Sequence, residues 1–425
     1  MSGDYLLRCP ACGLAIEDHY TSACSAGHPN LLVTEYPERT LSLSDQSGIF
    51  RYEAWLPVRG RLPFTGGTVT YQSSGLAAEL GLPHLFIGFN GYWPERGADL
   101  VTCSFKELEA VPTMLRATER TEGVLVVASA GNTARAFCQV SALTGIPIVI
   151  VVPQSALPRL WTTEPVPGAL VIGVDGDYAD AIAYSTALAT IDPRLIPEGG
   201  ARNVARRDGM GTVMLDGTVT IGRIPDHYVQ AVGSGTGGIA AYEAASRLIW
   251  DGRFGGELPT LHLSQNLPFI PMVAARERHT RDLLVGPGTP YTAEAEQEVS
   301  APVLTNRTPP YGVPGGTFDA LEATGGEMYA ISNGLARAAG ILFTDCEGID
   351  LDPAAAVATA SLVRAVEAGT IDRESTVLLN ITGGGYDRVA EEHALLPTVA
   401  RYMVPAGAPD ENIKRAVITW VNDHA

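Results

Sequence analysis

Thr102-Cys103-Ser104-Phe105-Lys106-Glu107-Leu108 decides the reading of this chain, because it holds one of only two lysines among 425 residues. The other is Lys414, and every remaining member of the 29 cationic side chains is arginine. Arginine stays protonated, whereas a desolvated lysine can lose its proton and attack a carbonyl as an amine. A lysine kept mid-chain in an arginine-using protein therefore points to chemistry. The competing explanation is an ordinary surface residue left over from an arginine-favouring composition. Helical periodicity over residues 107–117, with Pro112 as a kink point, places Lys106 at or near a helix start. Lys414 falls on a charged stretch of a terminal helix and reads as solvated.

Outward from this stretch, short apolar runs alternate with helical text. Residues 123–128 read as a buried strand, followed by Ser129-Ala130-Gly131-Asn132-Thr133 and a helical run to Thr144. Residues 148–152 form the next strand. This βαβ pattern puts a small-residue loop at the carboxyl end of a strand, where open α/β sheets bind ligands. Its N–H groups and the Ser129 and Thr133 hydroxyls offer donors to an anion such as a carboxylate.

Residues 227–232 read as another strand, then Gly233-Ser234-Gly235-Thr236-Gly237-Gly238 leads into a helix from Ile239. Four glycines in six residues let backbone N–H groups approach an oxyanion closely, with a helix N-terminus behind them. The Gly-Lys-Ser/Thr ending of a nucleotide loop is missing, and so is a full dinucleotide-binding context. The run reads as a phosphate cradle; a glycine turn without ligand is the alternative. A last strand over 376–381 ends at Thr382-Gly383-Gly384-Gly385. Residues 256–320, rich in Pro and Gly, read as loops and short helices.

A hydrophobic content of 46% with 18% charged residues describes a globular chain, long enough for two to three compact units. The net charge of −18 argues against nucleic acid or an anionic membrane as partner, but not against small anions met by local donors. The opening Met1-Ser2-Gly3-Asp4-Tyr5 lacks the basic and apolar regions of a secretory leader, and no apolar run is long enough to span a membrane. A cytoplasmic location is expected. Near the N-terminus, Cys9, Cys12, Cys24 and His28 have C-x2-C…C-x3-H spacing, which suits a tetrahedral Cys3His zinc. Such a closed site would be structural; a ribbon that has lost its metal, with reduced thiols, is the alternative.

Four features thus follow in one order: a solitary lysine, Ser-Ala-Gly-Asn-Thr, a glycine-rich turn and a strand ending in Thr-Gly. That order resembles the pyridoxal-phosphate enzymes of fold type II, the tryptophan synthase β-like fold, and within them the threonine synthase branch. Ser104-Phe105-Lys106 matches that branch's Ser-Phe-Lys, and Ser129 to Ala134 its Ser-Gly-Asn-Thr-Ala loop. Asn203 to Gly209 with Thr212 resembles its Asn-Pro-Tyr-Arg-x-Glu-Gly-x-Lys-Thr, and Thr382 to Gly385 its Thr-Gly-His-Gly. The likeness runs from about Tyr52 to Asp387. Departures are Glu107-Leu108 in place of Asp-Arg, Gly211 in place of a lysine, and a longer segment from Asn90 to Cys103. The text Phe89-Asn90-Gly91-Tyr92-Trp93-Pro94-Glu95-Arg96-Gly97, running into Thr102 to Glu107, resembles the archaeal cysteate synthase family, a paralogous group.

The resemblance implies an α/β architecture of two open twisted domains with pyridoxal 5'-phosphate between them, plus a small zinc-ribbon-like N-terminal segment. The expected division is 1–45 for that segment, 46–90 with 196–425 for the larger cofactor-binding domain, and 91–195 for the smaller one. It further implies a β-replacement transferase that uses O-phospho-L-serine and sulfite to give L-cysteate for coenzyme M synthesis in methanogens. Lys106 would hold the cofactor and move the α-proton. Asn132 would face the ring hydroxyl, Gly233, Ser234, Gly235, Thr236 and Gly237 the phosphate, and Thr382 the ring nitrogen. Ser129, Gly131 and Thr133 would take the substrate carboxylate, with Arg135, Arg206 and Arg207 as cationic partners for the two anions. Threonine synthase acting on O-phospho-L-homoserine is the nearest rival reading. A catalytically idle zinc-binding scaffold is the rival from another class. Self-association into a homo-oligomer is common in this fold.

Overall fold

Two mostly parallel sheets carry the chain, because most of their connections are helices that return each strand in the same direction. The computed structural model describes residues 5–286 and 288–424; Met1 to Asp4, which open the stretch read as lacking a leader's basic and apolar regions, lie outside them. The larger sheet has the order Glu327–Ile331, Thr260–Asn266, His227–Ala231, Val377–Ile381, Leu85–Phe89, Val69–Gln72. All its neighbours are parallel except the final antiparallel pair. The smaller sheet, Leu195–Pro197, Val124–Ala128, Ile148–Pro153, Ala169–Asp175, Tyr402–Pro405, is parallel throughout. Its central strand Ile148–Pro153 is buried along its whole length, as a strand covered on both faces must be.

The strands expected at 123–128, 148–152, 227–232 and 376–381 are observed within one or two residues. Two regions differ from expectation. Thr260–Asn266, inside the stretch read as loops, is an interior strand of the larger sheet. Its buried residues include His262, Ser264, Gln265 and Asn266, so no apolar run marks it. His262 is met by His227 and Tyr329, and Gln265 accepts from the Met272 N–H.

The second difference is at the C-terminus. The expected larger domain includes residues 196–425, yet Tyr402–Pro405 pairs with Ala169–Asp175 in the smaller sheet. Helix Glu411–His424 then buries Val417, Trp420 and Val421 in that sheet's core. Strand pairing at such a distance in sequence leaves no local signal.

Helix Lys106–Arg120 packs against both Asn132–Thr144 and Val204–Ile221. The last crossing is close: a Cβ on Gly209 would lie 1.9 Å from the Leu108 carbonyl oxygen and 2.7 Å from Pro112 Cγ. Pro112 supplies no N–H to Leu108, and the helix continues past it to Arg120. Residues 5–45 add a three-stranded antiparallel sheet built from Leu6–Arg8, Ala15–Ile16 and Val33–Glu35. No described helix is long and apolar enough to cross a membrane.

Candidate active site

Lys106 opens its helix immediately after Phe105, whose N–H donates to the Thr382 carbonyl at 3.0 Å. That bond holds the lysine beside the end of strand Val377–Ile381. A single cavity is lined by Lys106, Asn132, Thr382, the Gly233–Gly237 turn, the Ser129–Thr133 loop and Arg206. Segments scattered from residue 105 to 382 meet there because each follows a parallel strand at its carboxyl end or begins a helix facing it.

Two of the arginines considered for anions lie elsewhere. Arg207 is buried against Glu243, with Nε 2.9 Å from the carboxylate, and its terminal nitrogens donate to the Ala201 and Leu32 carbonyls. Its donors are consumed by structure, which corrects the expectation of a substrate contact. Arg135 is also buried and does not line the cavity. It stacks over Trp161, 4.7 Å to the ring centroid, and Nη2 donates to the Tyr386 hydroxyl at 2.9 Å. Arg206 does line the cavity, but Nη1 is 2.7 Å from Glu198 and Nη2 2.9 Å from Glu109.

The loop residues also take specific roles. Ser129 Oγ accepts from the N–H groups of Gly131 at 3.1 Å and Ala134 at 2.9 Å, which leaves its own proton for a ligand. Thr133 Oγ1 instead donates to Glu109 Oε1 at 2.8 Å, so its hydroxyl proton is not available to a substrate as expected. Asn132 Nδ2 donates to Asp352 Oδ2 at 3.2 Å, and Tyr386 donates to the same oxygen at 2.7 Å.

Sequence reasoning missed Glu109 and Asp352. Glu109 stands three residues past Lys106, a spacing that shares one helix face, and that was the available signal. Asp352 before Pro353 is recognisable as a helix cap, and it does accept from the Ala354 N–H at 2.8 Å. Nothing local marks it as the neighbour of Asn132.

Burial lowers the Lys106 ammonium pKa; Glu109 opposes this and Arg206 adds to it. Burial raises Glu109, but Arg206 and then Lys106 outweigh it and hold that carboxyl below its ordinary range. Glu198 is raised by burial despite Arg206.

The lining fits pyridoxal phosphate. It has an amine on one wall, and the Thr382 hydroxyl, which has no hydrogen-bond partner among the described residues. The Gly233–Gly237 turn lines the same cavity and runs into the N-terminus of helix Thr236–Asp251, suited to a phosphate. Gly235 has φ +81°, and a Cβ there would lie 2.1 Å from Thr317 Oγ1, so the turn requires glycine.

At the other end of the chain, the ligand atoms of Cys9, Cys12, Cys24 and His28 all lie within 4.8 Å of one another. Cys12 and Cys24 sulfurs are 3.8 Å apart, and thiolates about 2.3 Å from a tetrahedral zinc stand about that far apart. The four donors therefore suit a metal, distant from the cavity in function because all four positions are filled by protein.

A model of the pyridoxal-phosphate dependent enzyme family matches residues 62–383. A cysteate synthase from Methanosphaerula palustris is 86% identical over 425 residues, covering 100% of both chains. One from Methanoculleus marisnigri is 56% identical over 422 residues, covering 99% of this chain and 98% of the other. Among solved structures, maize serine racemase superposes with a TM-score of 0.58 at 16% identity, over 76% of this chain and 92% of that one.

Proposed function

Because the chain belongs to the pyridoxal-phosphate dependent enzyme family, we propose that it is a cysteate synthase, a β-replacement transferase acting on O-phospho-L-serine and sulfite. The observation that carries this reading is the full-length likeness to proteins of that name, joined to a cavity in which Lys106, Thr382 and the glycine turn face one space.

Pyridoxal phosphate, when bound, supplies the electron sink that lets the α-proton and a β-substituent of an amino acid leave. Lys106 is the residue that would hold it, and its amine then removes and returns the α-proton. The Gly233–Gly237 N–H groups and the Ser234 and Thr236 hydroxyls would hold the phosphate, and the Asn132 amide the ring hydroxyl. Thr382 offers the ring nitrogen a neutral hydroxyl, which does not keep a proton there. Ser129 donates its hydroxyl proton, and Gly131 and Thr133 their N–H groups, to the substrate carboxylate. In the net reaction the Cβ–O bond breaks with its electron pair leaving on phosphate. The sulfur lone pair of sulfite forms the new Cβ–S bond of L-cysteate. The Cys9, Cys12, Cys24 and His28 cluster would hold a structural zinc.

The test supplies purified protein with phosphoserine plus sulfite, and separately with phosphohomoserine. L-cysteate and phosphate from the first pair are expected; threonine from phosphohomoserine alone overturns the reading. Borohydride reduction of the native protein should bleach its visible band and leave the label on Lys106.

A further inference from the structure

Lys106 Nζ lies 3.1 Å from Glu109 Oε2, one turn along its own helix. The Glu109 side chain is fully buried, whereas Lys106 retains 20% exposure toward the cavity. The other carboxylate oxygen, Oε1, takes Arg206 Nη2 at 2.9 Å and the Thr133 hydroxyl at 2.8 Å. Arg206 in turn holds Glu198 at 2.7 Å. Every strong donor around Glu109 is thus in place to keep it anionic, and one oxygen is directed at the lysine amine.

We infer that Glu109 is a positioning residue for Lys106: it anchors the amine whenever that amine carries a proton, while Arg206 and Thr133 keep Glu109 itself from taking the proton. The inference rests on the proposed role of Lys106, and it assigns Glu109 no contact with substrate. A lysine that removes an α-proton must carry it as an ammonium inside a largely desolvated cavity. An isolated ammonium there is strongly disfavoured. A fixed carboxylate at 3.1 Å lowers that penalty and fixes the direction of the Nζ–H bonds, so the same proton can be returned. A carboxylate that could itself be protonated would instead drain the proton away. Arg206 prevents that, which explains why an arginine on the cavity wall is already committed to two carboxylates.

The chain's two lysines make a direct test practical. Reductive methylation of the full-length, cofactor-free protein with ¹³C-formaldehyde labels the two lysines and the chain's α-amine, and the Lys106 signal, assigned by its loss in Lys106→Arg, is titrated against pH. In the wild type, Lys106 should titrate below the ordinary lysine range. In Glu109→Gln the Lys106 midpoint should fall further by about a unit, a tenfold change in proton affinity. In the cofactor-loaded enzyme, kcat should fall at least about tenfold with little change in KM, and its acid limb should move to lower pH. Glu109→Asp, which keeps the charge, should recover part of both effects. A Lys106 midpoint that is the same in wild type and Glu109→Gln, or in wild type and Glu109→Asp when only that variant folds, overturns the inference. The titration uses no substrate. Its failure therefore remains distinct from failure to form L-cysteate, which would instead count against the proposed reaction.

Discussion

Arg116 and Asp18 form a buried bidentate pair, with Nε donating to Oδ2 at 2.7 Å and Nη2 to Oδ1 at 2.7 Å. Arg116 lies on the helix that Lys106 begins, and Asp18 lies between the cysteines of the N-terminal segment. Arg116 Nη1 also donates to Asn203 Oδ1 at 2.8 Å, and Asn203 caps helix Val204–Ile221. One guanidinium therefore joins the metal-site segment to two helices that wall the cavity.

Asp18→Asn should destabilise the protein by about 3–5 kcal/mol, because it leaves the Arg116 charge buried without its partner. Burial raises the Asp18 pKa, but Arg116 outweighs it and holds the carboxyl below its ordinary range. The sign follows: this stabilisation is full above the unfolded value of about 3.9 and is lost as pH falls through the lower folded value. Urea unfolding of wild type and variant should therefore differ by a constant amount between pH 5 and 8, with the gap closing in acid.

Zinc should purify with the chain in equimolar amount, and chelation or Cys24→Ser should lower Tm. Since the Asp18 pair is anchored in the same segment, its contribution should shrink once the metal is gone, as coupled sites are non-additive. A double-mutant cycle with Cys24→Ser and Asp18→Asn measures this. Metal-free wild-type protein with an unchanged Tm would remove the zinc.

Glu107 should oppose stability at alkaline pH. Its Oε1 accepts from the Thr102 N–H at 2.6 Å and hydroxyl at 2.5 Å, while Oε2 has no partner. Burial pushes its pKa up to about 7. The folded state thus binds more protons between the unfolded value of about 4.3 and the folded one, and stability falls as pH rises through that window. Glu107→Gln should be more stable than wild type at pH 8, by up to about 3 kcal/mol, and nearly equal to it near pH 4.

Gly235→Ala should weaken cofactor binding. The left-handed backbone costs a non-glycine residue about 1–2 kcal/mol, and the Thr317 hydroxyl would have to move away from the new Cβ. Following the visible band during cofactor titration should give a Kd raised about tenfold or more.

Features that depend on near neighbours could be read directly from the chain. The rarity of lysine, the glycine run and the Ser129–Thr133 loop each announce a local chemistry, and the strands leading to them are continuous apolar runs. The strand Thr260–Asn266 was hidden because its polar residues are satisfied by partners far away in sequence. Strand Tyr402–Pro405, in a stretch expected to belong to the larger domain, pairs in the smaller sheet because pairing depends on which edge is open, not on its own composition.

Arg206 and Arg207 show where sequence stops and tertiary structure begins. Adjacent helix positions point about 100° apart, so one arginine faces the cavity and the other faces Glu243. Most of helix Val204–Ile221 is buried around its whole circumference, and no amphipathic stripe tells which side is inward. The sequence alone singled out Lys106 as the one mid-chain lysine and placed a glycine-rich turn downstream of it. The i,i+3 spacing let Glu109 share a helix face with that amine, but only the packing of helices decided that Arg206 and Thr133 close on Glu109 from outside that helix. Arg206 and Glu109 lie within hydrogen-bond reach in space but about a hundred residues apart along the chain, where no local pattern connects them.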